Sequence, residues 1–137
     1  MTLLGIALAG AAGTLARYGL AGLVHRFLGA GFPWGTLSVN LIGCFLLGLL
    51  LELSRQSGWV PPDFRTIVGI GFLGAFTTFS TFGVETFRAF ESGDWLVAAL
   101  NVLANVAGGL LFVVAGTSLA RFLVQFLRFI VQTGGGM

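Results

Sequence analysis

The chain has 137 residues, of which 56% are hydrophobic and 9% are charged, and its net charge is +2. Soluble domains carry about 25% charged residues, and a chain this short could not bury so much apolar surface in water. The composition therefore excludes an ordinary soluble protein and indicates one membrane domain over residues 1–137. All seven basic residues are arginines scattered along the chain, which argues against a nucleic-acid-binding surface.

Four apolar stretches are long enough to cross a bilayer as helices, which takes about 20 residues each. We expect an all-α membrane protein with spans over about residues 3–26, 34–54, 66–90 and 95–124. The first stretch lacks the basic start of a cleaved signal peptide, so it is expected to remain as a span. The glycine-rich end at 134–136 is assigned no function.

Small residues recur at every fourth position in two of the spans, at Gly5, Ala9 and Gly13 and at Ala104 and Gly108. Such rows allow helix backbones to approach closely in lipid, so we expect tight packing. The ordinary small-residue content of membrane helices would give the same pattern.

The arginines give a weak orientation signal. With four spans, both termini lie on one side, and that side would carry four arginines against two on the other. Positive charge near span ends sets which side stays cytoplasmic. A chain with this modest bias could therefore insert either way round.

Polar side chains interrupt all four of the spans. Arg17 keeps its charge, so it must occupy a wet vestibule, pair with an anion, or extend toward the interface. Asn40 could donate hydrogen bonds to a passing ligand or link neighbouring helices. Asn101 and Asn105 are four apart and share one face of the fourth helix, either as a pore wall or as a similar link.

The third span contains the weakest helix-forming stretch, GFLGAFTTFSTFG at 71–83. Glycines and β-branched threonines lower helix propensity, so a break near 75–79 competes with a continuous helix whose threonines bond to the preceding turn. A break would leave carbonyls from Gly74 to Thr77 free to coordinate a cation. Phe79 and Phe82 would lie on one face of the following helix, with positive ring edges toward a small anion, unless they face lipid or the core.

Three stretches together resemble the fluoride ion channels of the Fluc, or CrcB-type, family. TTFSTF at 77–82 followed by Glu85 is similar to that family's signature. GTLARYGL at 13–20 is similar to its first-helix arginine motif, and PWGTLSVNLIGCFLLG at 33–48 to its asparagine motif. The resemblance covers the first three spans in order and is compatible with the fourth.

The resemblance implies an antiparallel, dual-topology homodimer of four-helix subunits in the cell inner membrane, with the third helix broken at the membrane centre. The two breaks would hold one structural Na⁺ at the dimer axis through the backbone carbonyls of Gly74 and Thr77. The implied fluoride pathway comprises Arg17, Asn40, Phe79, Phe82, Ser80, Thr81 and Glu85, with Asn101 and Asn105 on the pore face of the fourth helix.

Two positions depart from the family pattern. The family commonly has two adjacent glycines before the threonine pair, and this chain has Gly74 followed by Ala75. A methyl group is small, so the break is expected to survive. In the fourth helix the family often carries serine or tyrosine on the pore face, where this chain has Asn101 and Asn105.

The implied function is passive, selective fluoride export that relieves fluoride toxicity, without enzymatic activity. A four-helix proton-coupled exporter of drugs or guanidinium is the main alternative, and such a carrier needs a carboxylate within the membrane. The first span carries Arg17 instead, and Glu85 lies near the end of the third. A non-conducting subunit of a larger complex is the second alternative.

Overall fold

The computed structural model describes residues 1–134, and within them every regular element is helical. Two of the elements are π-helices, labelled π1 and π2. In chain order the elements are α1 (Thr2–Leu28), α2 (Trp34–Ser57), α3 (Pro62–Thr66), π1 (Ile67–Leu73), α4 (Gly74–Phe76), α5 (Phe79–Glu91), α6 (Trp95–Leu103), π2 (Ala104–Gly108) and α7 (Gly109–Gly134). Residues 135–137, which include part of the glycine-rich end, lie outside the described residues.

Four helical stretches of the described chain are long and apolar enough to cross a membrane: Thr2–Leu28, Trp34–Gln56, Pro62–Glu91 and Trp95–Gln132. The prediction of an all-α, four-helix membrane protein is confirmed, and the chain is a multi-pass membrane protein. The fourth stretch runs past the predicted end at 124. Its 38 residues extend over about 57 Å, well beyond a hydrocarbon core of about 30 Å.

Glycines set how closely the helices approach one another. A Cβ built on Gly13 of α1 would collide with the backbone carbonyl of Phe72 in π1. α2 and α7 are equally close, because a Cβ on Gly116 would collide with the carbonyl oxygen of Phe45. The tight packing expected at Gly13 is confirmed, and the contact at Gly116 adds a second crossing of the same kind.

Replacing Gly116 with alanine is expected to destabilise the protein by about 1–3 kcal/mol, because the added methyl group forces α2 and α7 apart. Gly22→Ala is the matched control, since a Cβ on Gly22 in α1 meets nothing within 4 Å and alanine favours the helix. The measurement is the midpoint of thermal unfolding of both variants in detergent. Equal stability of the two variants would contradict the close contact between α2 and α7.

The third membrane stretch contains a π-helical segment and, further along, two residues that are not helical. π1 follows the short α3, α4 ends at Phe76, and the next two residues are extended. Their φ and ψ angles are −84° and 160° at Thr77 and −149° and 110° at Thr78. The side chain of Thr78 accepts a hydrogen bond from the N–H of Thr81 and so caps the start of α5. Extended backbone thus separates α4 from α5, within the range 75–79 that the sequence singles out.

Candidate functional site

Asn40 of α2 holds the extended residues through both ends of its carboxamide. Its Oδ1 accepts a hydrogen bond of 2.8 Å from the N–H of Thr78, and its Nδ2 donates to the carbonyl of Thr78 at 3.2 Å. In a continuous helix the N–H of Thr78 would donate to the carbonyl of Gly74, four residues earlier. The side chain of Asn40 therefore replaces a helical hydrogen bond and stabilises the extended conformation.

Asn40 also begins a chain of side-chain hydrogen bonds between helices. Its Nδ2 donates to Oδ1 of Asn105 at 2.9 Å, and Nδ2 of Asn105 donates to Oδ1 of Asn101 at 2.9 Å. Nδ2 of Asn101 donates in turn to the hydroxyl of Thr86 at 2.8 Å. The fully buried Asn101 thus links α6 to α5, while Asn105 also lines a cavity beside Asn40.

An open cavity of about 330 Å³ lies beside the extended residues. Phe79 and Phe82 line it, with ring centroids 5.5 Å apart and ring planes inclined at 55°. Phe82 is buried, whereas Phe79 is 82% exposed. The other lining residues are all uncharged: Asn40, Gly43, Cys44, Leu47, Gly69, Leu73, Gly74, Thr77, Thr78, Asn105, Val106 and Val113. The cavity therefore combines apolar walls with a few hydrogen-bonding groups.

The hydroxyl and acidic residues predicted for the pathway lie along α5. Ser80 and Thr81 are exposed, and the hydroxyl of Thr78 donates to that of Thr81 at 2.8 Å. One turn further, Oε1 of Glu85 accepts a hydrogen bond of 2.8 Å from the hydroxyl of Thr36. Oε2 of Glu85 is buried and has no partner among the described residues. These groups continue the polar surface from the extended residues along α5.

Arg17 lies apart from this group, and the two predicted cation-binding residues lie within it. Arg17 is half-buried on α1 and makes no hydrogen bond or ion pair within residues 1–134. Gly74 and Thr77 both line the cavity. The structure therefore brings the predicted site residues together around the extended backbone or along α5, with Arg17 as the exception.

Two hydrogen-bonding residues at this site are not singled out by the sequence pattern. Thr36 precedes Asn40 by four positions, so it shares a face of α2 with it, and that spacing is a signal that could have identified it. Thr86 has no comparable signal on its own helix. It contributes because Asn101, from a different helix, donates to its hydroxyl.

A family model described as CrcB-like protein, Camphor Resistance (CrcB), matches residues 4–117, which include every residue of the candidate site. The chain belongs to the CrcB family. The resemblance seen in the arginine, asparagine and TTFSTF motifs is thereby confirmed.

CrcB-family relatives named fluoride-specific ion channel FluC are about half identical to this chain. The protein of Geobacter metallireducens is 55% identical over 106 residues, which cover 77% of this chain and 86% of its own length. That of Geobacter sulfurreducens is 51% identical over 120 residues, covering 88% and 97%. That of Magnetococcus marinus is 52% identical over 101 residues, covering 74% and 82%. These relatives are named as channels, so the expectation that the chain is not an enzyme is confirmed at the level of the family.

Proposed function

We propose that this CrcB-family chain is a fluoride-selective channel that conducts F⁻ passively out of the cell and so relieves fluoride toxicity. The observation that carries the proposal is the exposed ring of Phe79 beside backbone that Asn40 holds in an extended form. Membership of the CrcB family and the channel names of the relatives support the same function.

The residues around the cavity suit a small, strongly hydrated anion. A pore must replace the water of such an ion with other donors, and its binding must be favourable enough for entry and weak enough for exit. The rims of the Phe79 and Phe82 rings carry partial positive charge, which attracts an anion without trapping it. The hydroxyls of Ser80 and Thr81 supply donors next to the rings. Both Nδ2 hydrogens of Asn40 are already used, so Asn40 acts mainly by positioning Thr78.

The two ionisable side chains predicted for the pathway have opposite roles. Arg17 carries a full positive charge, which raises the local concentration of anions at the mouth of the pathway. An ionised Glu85 would repel fluoride at close range. Its Oε1 accepts a hydrogen bond from Thr36, so we assign Glu85 the role of orienting that hydroxyl.

The conducting unit that we propose is an antiparallel homodimer with dual topology. In one subunit the cavity is open and Phe79 is exposed, so a second copy is needed to enclose an ion beside the ring. The modest difference in arginine number between the two sides is compatible with insertion in both orientations in the inner membrane. Both observations support a pathway lined by two copies of the chain and surrounded by lipid.

We further propose that the two interruptions meet at the membrane centre and hold one Na⁺. The carbonyls of Gly74 and Thr77 fit this role, because oxygen atoms at the C-terminal end of a half-helix carry partial negative charge. The carbonyl of Gly74 lacks its usual helical donor, since the N–H of Thr78 is bonded to Asn40. A cation bound there would supply fixed positive charge next to the fluoride pathway.

Fluoride efflux from proteoliposomes made with the purified protein tests the proposal. Vesicles loaded with potassium fluoride and given a potassium ionophore are expected to release fluoride rapidly, as read by an external fluoride electrode. A proton-coupled exporter would instead move a quinolinium dye, and a non-conducting subunit would move neither. The proposal would be contradicted if vesicles that contain the folded protein retained their fluoride.

A further inference from the structure

The end of α7 lies beyond the region that the family model matches. The match ends at residue 117, while α7 continues to Gly134. Residues 118–134, here called the α7 extension, are therefore a feature of this chain that the family model does not describe. Their contacts lie away from the cavity at Phe79.

A buried acid joins the α7 extension to α2. Glu52, near the end of α2, accepts hydrogen bonds from Arg55 at 2.7 and 3.0 Å and from Arg121 at 2.8 Å. One turn further along α2, the carbonyl of Gln56 accepts a hydrogen bond of 2.8 Å from Arg128. Two guanidinium groups thus bind one carboxylate and a third binds a backbone carbonyl one turn away. The three, here called the arginine cluster, leave a local excess of positive charge.

The side chains of the arginine cluster are exposed on the surface of the chain. The side chains of Arg55 and Arg121 are 66% and 55% exposed, although both bind Glu52, and Arg128 is exposed as well. Each guanidinium carries five N–H donors, so most of the donors are not used by the protein. Arg121 and Arg128 are separated by about 10 Å along the helix axis, so the cluster offers donors over that length.

The opposite side of the α7 extension is apolar and exposed. Ala120 and Val124 are fully buried, whereas Phe122 and Phe126 are exposed and stack with their ring centroids 6.0 Å apart. A helix on a water-exposed surface does not present stacked phenylalanines outward, because its apolar side faces the core. Outward phenylalanines, combined with arginines that bond back to α2, therefore indicate that lipid surrounds this segment.

We propose that the arginine cluster of Arg55, Arg121 and Arg128 binds the phosphate headgroup of an anionic phospholipid whose acyl chains lie along the α7 extension. The planar guanidinium fork matches phosphate in both geometry and charge. An anionic lipid presents its phosphate where an apolar helix surface meets the polar boundary of the bilayer. The inference is independent of fluoride conduction, because none of these residues lines the cavity at Phe79.

Native mass spectrometry of the detergent-purified full chain tests the site. Phosphatidylglycerol and phosphatidylcholine with the same acyl chains are titrated separately, and the fraction of lipid-bound protein is counted. The wild-type chain is expected to bind phosphatidylglycerol more tightly. Removing one guanidinium, as in Arg128→Gln, is expected to weaken that binding about fivefold, and the double change of Arg55 and Arg128 to Gln about twentyfold.

Arg26→Gln is the matched control, because Arg26 is an exposed arginine in the last turn of α1. It is expected to keep the wild-type preference for phosphatidylglycerol. Equal affinity of the wild-type chain for both lipids, unchanged affinity in Arg128→Gln, or an equal loss in Arg26→Gln would each overturn the site. Arg128→Gln leaves both ion pairs of Glu52 in place, so the test stands even where the double variant fails to fold.

Discussion

Replacing Asn40 with aspartate is expected to abolish fluoride efflux from proteoliposomes. The carboxylate loses the two N–H donors that bond the carbonyl of Thr78 and Oδ1 of Asn105, and it sets negative charge against both oxygens. Leaving a buried acceptor without its donor costs about 1–3 kcal/mol, and more where a charge is involved. A barrier raised by about 3 kcal/mol slows passage more than a hundredfold. The measurement is the initial rate of efflux at equal protein density.

Cys44→Ser provides the control for this change. Cys44 lies one turn after Asn40 in α2 and lines the same cavity, but the substitution alters neither charge nor the bonds to Thr78. It is expected to retain efflux close to that of the wild-type chain. Gel filtration distinguishes a blocked pathway from an unfolded protein. Wild-type efflux through folded Asn40→Asp would refute the role of this side chain.

Replacing Phe79 with isoleucine is expected to reduce fluoride efflux about tenfold while leaving the unfolding temperature unchanged. The ring is 82% exposed in the single chain, so its loss removes little buried surface. What disappears is the positive rim of the aromatic ring, whose interactions are worth about 0.5–1.5 kcal/mol. Phe82→Ile should also reduce efflux, but Phe82 is buried, so that variant should lose stability as well.

Phe87→Ile separates a specific effect from a general one. Phe87 is also an exposed phenylalanine of α5, and it does not line the cavity. The isoleucine variant should conduct like the wild-type chain. Equal efflux from the Phe79, Phe82 and Phe87 variants would show that the aromatic rings take no specific part in fluoride conduction.

The number and order of the membrane helices could be predicted because the information is local. An apolar run of about 20 residues has to be helical in lipid, whatever its neighbours do. The weak helix-forming residues of 71–83 likewise pointed to the part of the third stretch where Thr77 and Thr78 are extended. Composition and propensity are sufficient for such features.

Features that depend on distant parts of the chain could not be predicted in this way. The extended form of Thr78 is held by Asn40, 38 positions away. No local sequence pattern predicts that pairing. The buried Glu52 joins α7 through Arg121, 69 positions away. The π-helical turns of π1 and π2 were also missed, since small changes of backbone geometry in an apolar helix leave no distinct mark on composition.

The extended backbone beside Phe79 also bears on how two copies would assemble. Because Asn40 already holds Thr78 within a single subunit, no helix has to unwind at the moment of association. A preorganised surface loses little conformational entropy on docking, so most of the interaction energy is retained as affinity. Two copies would therefore associate without a change of backbone conformation. A slow rearrangement after contact is not expected to limit the rate of assembly.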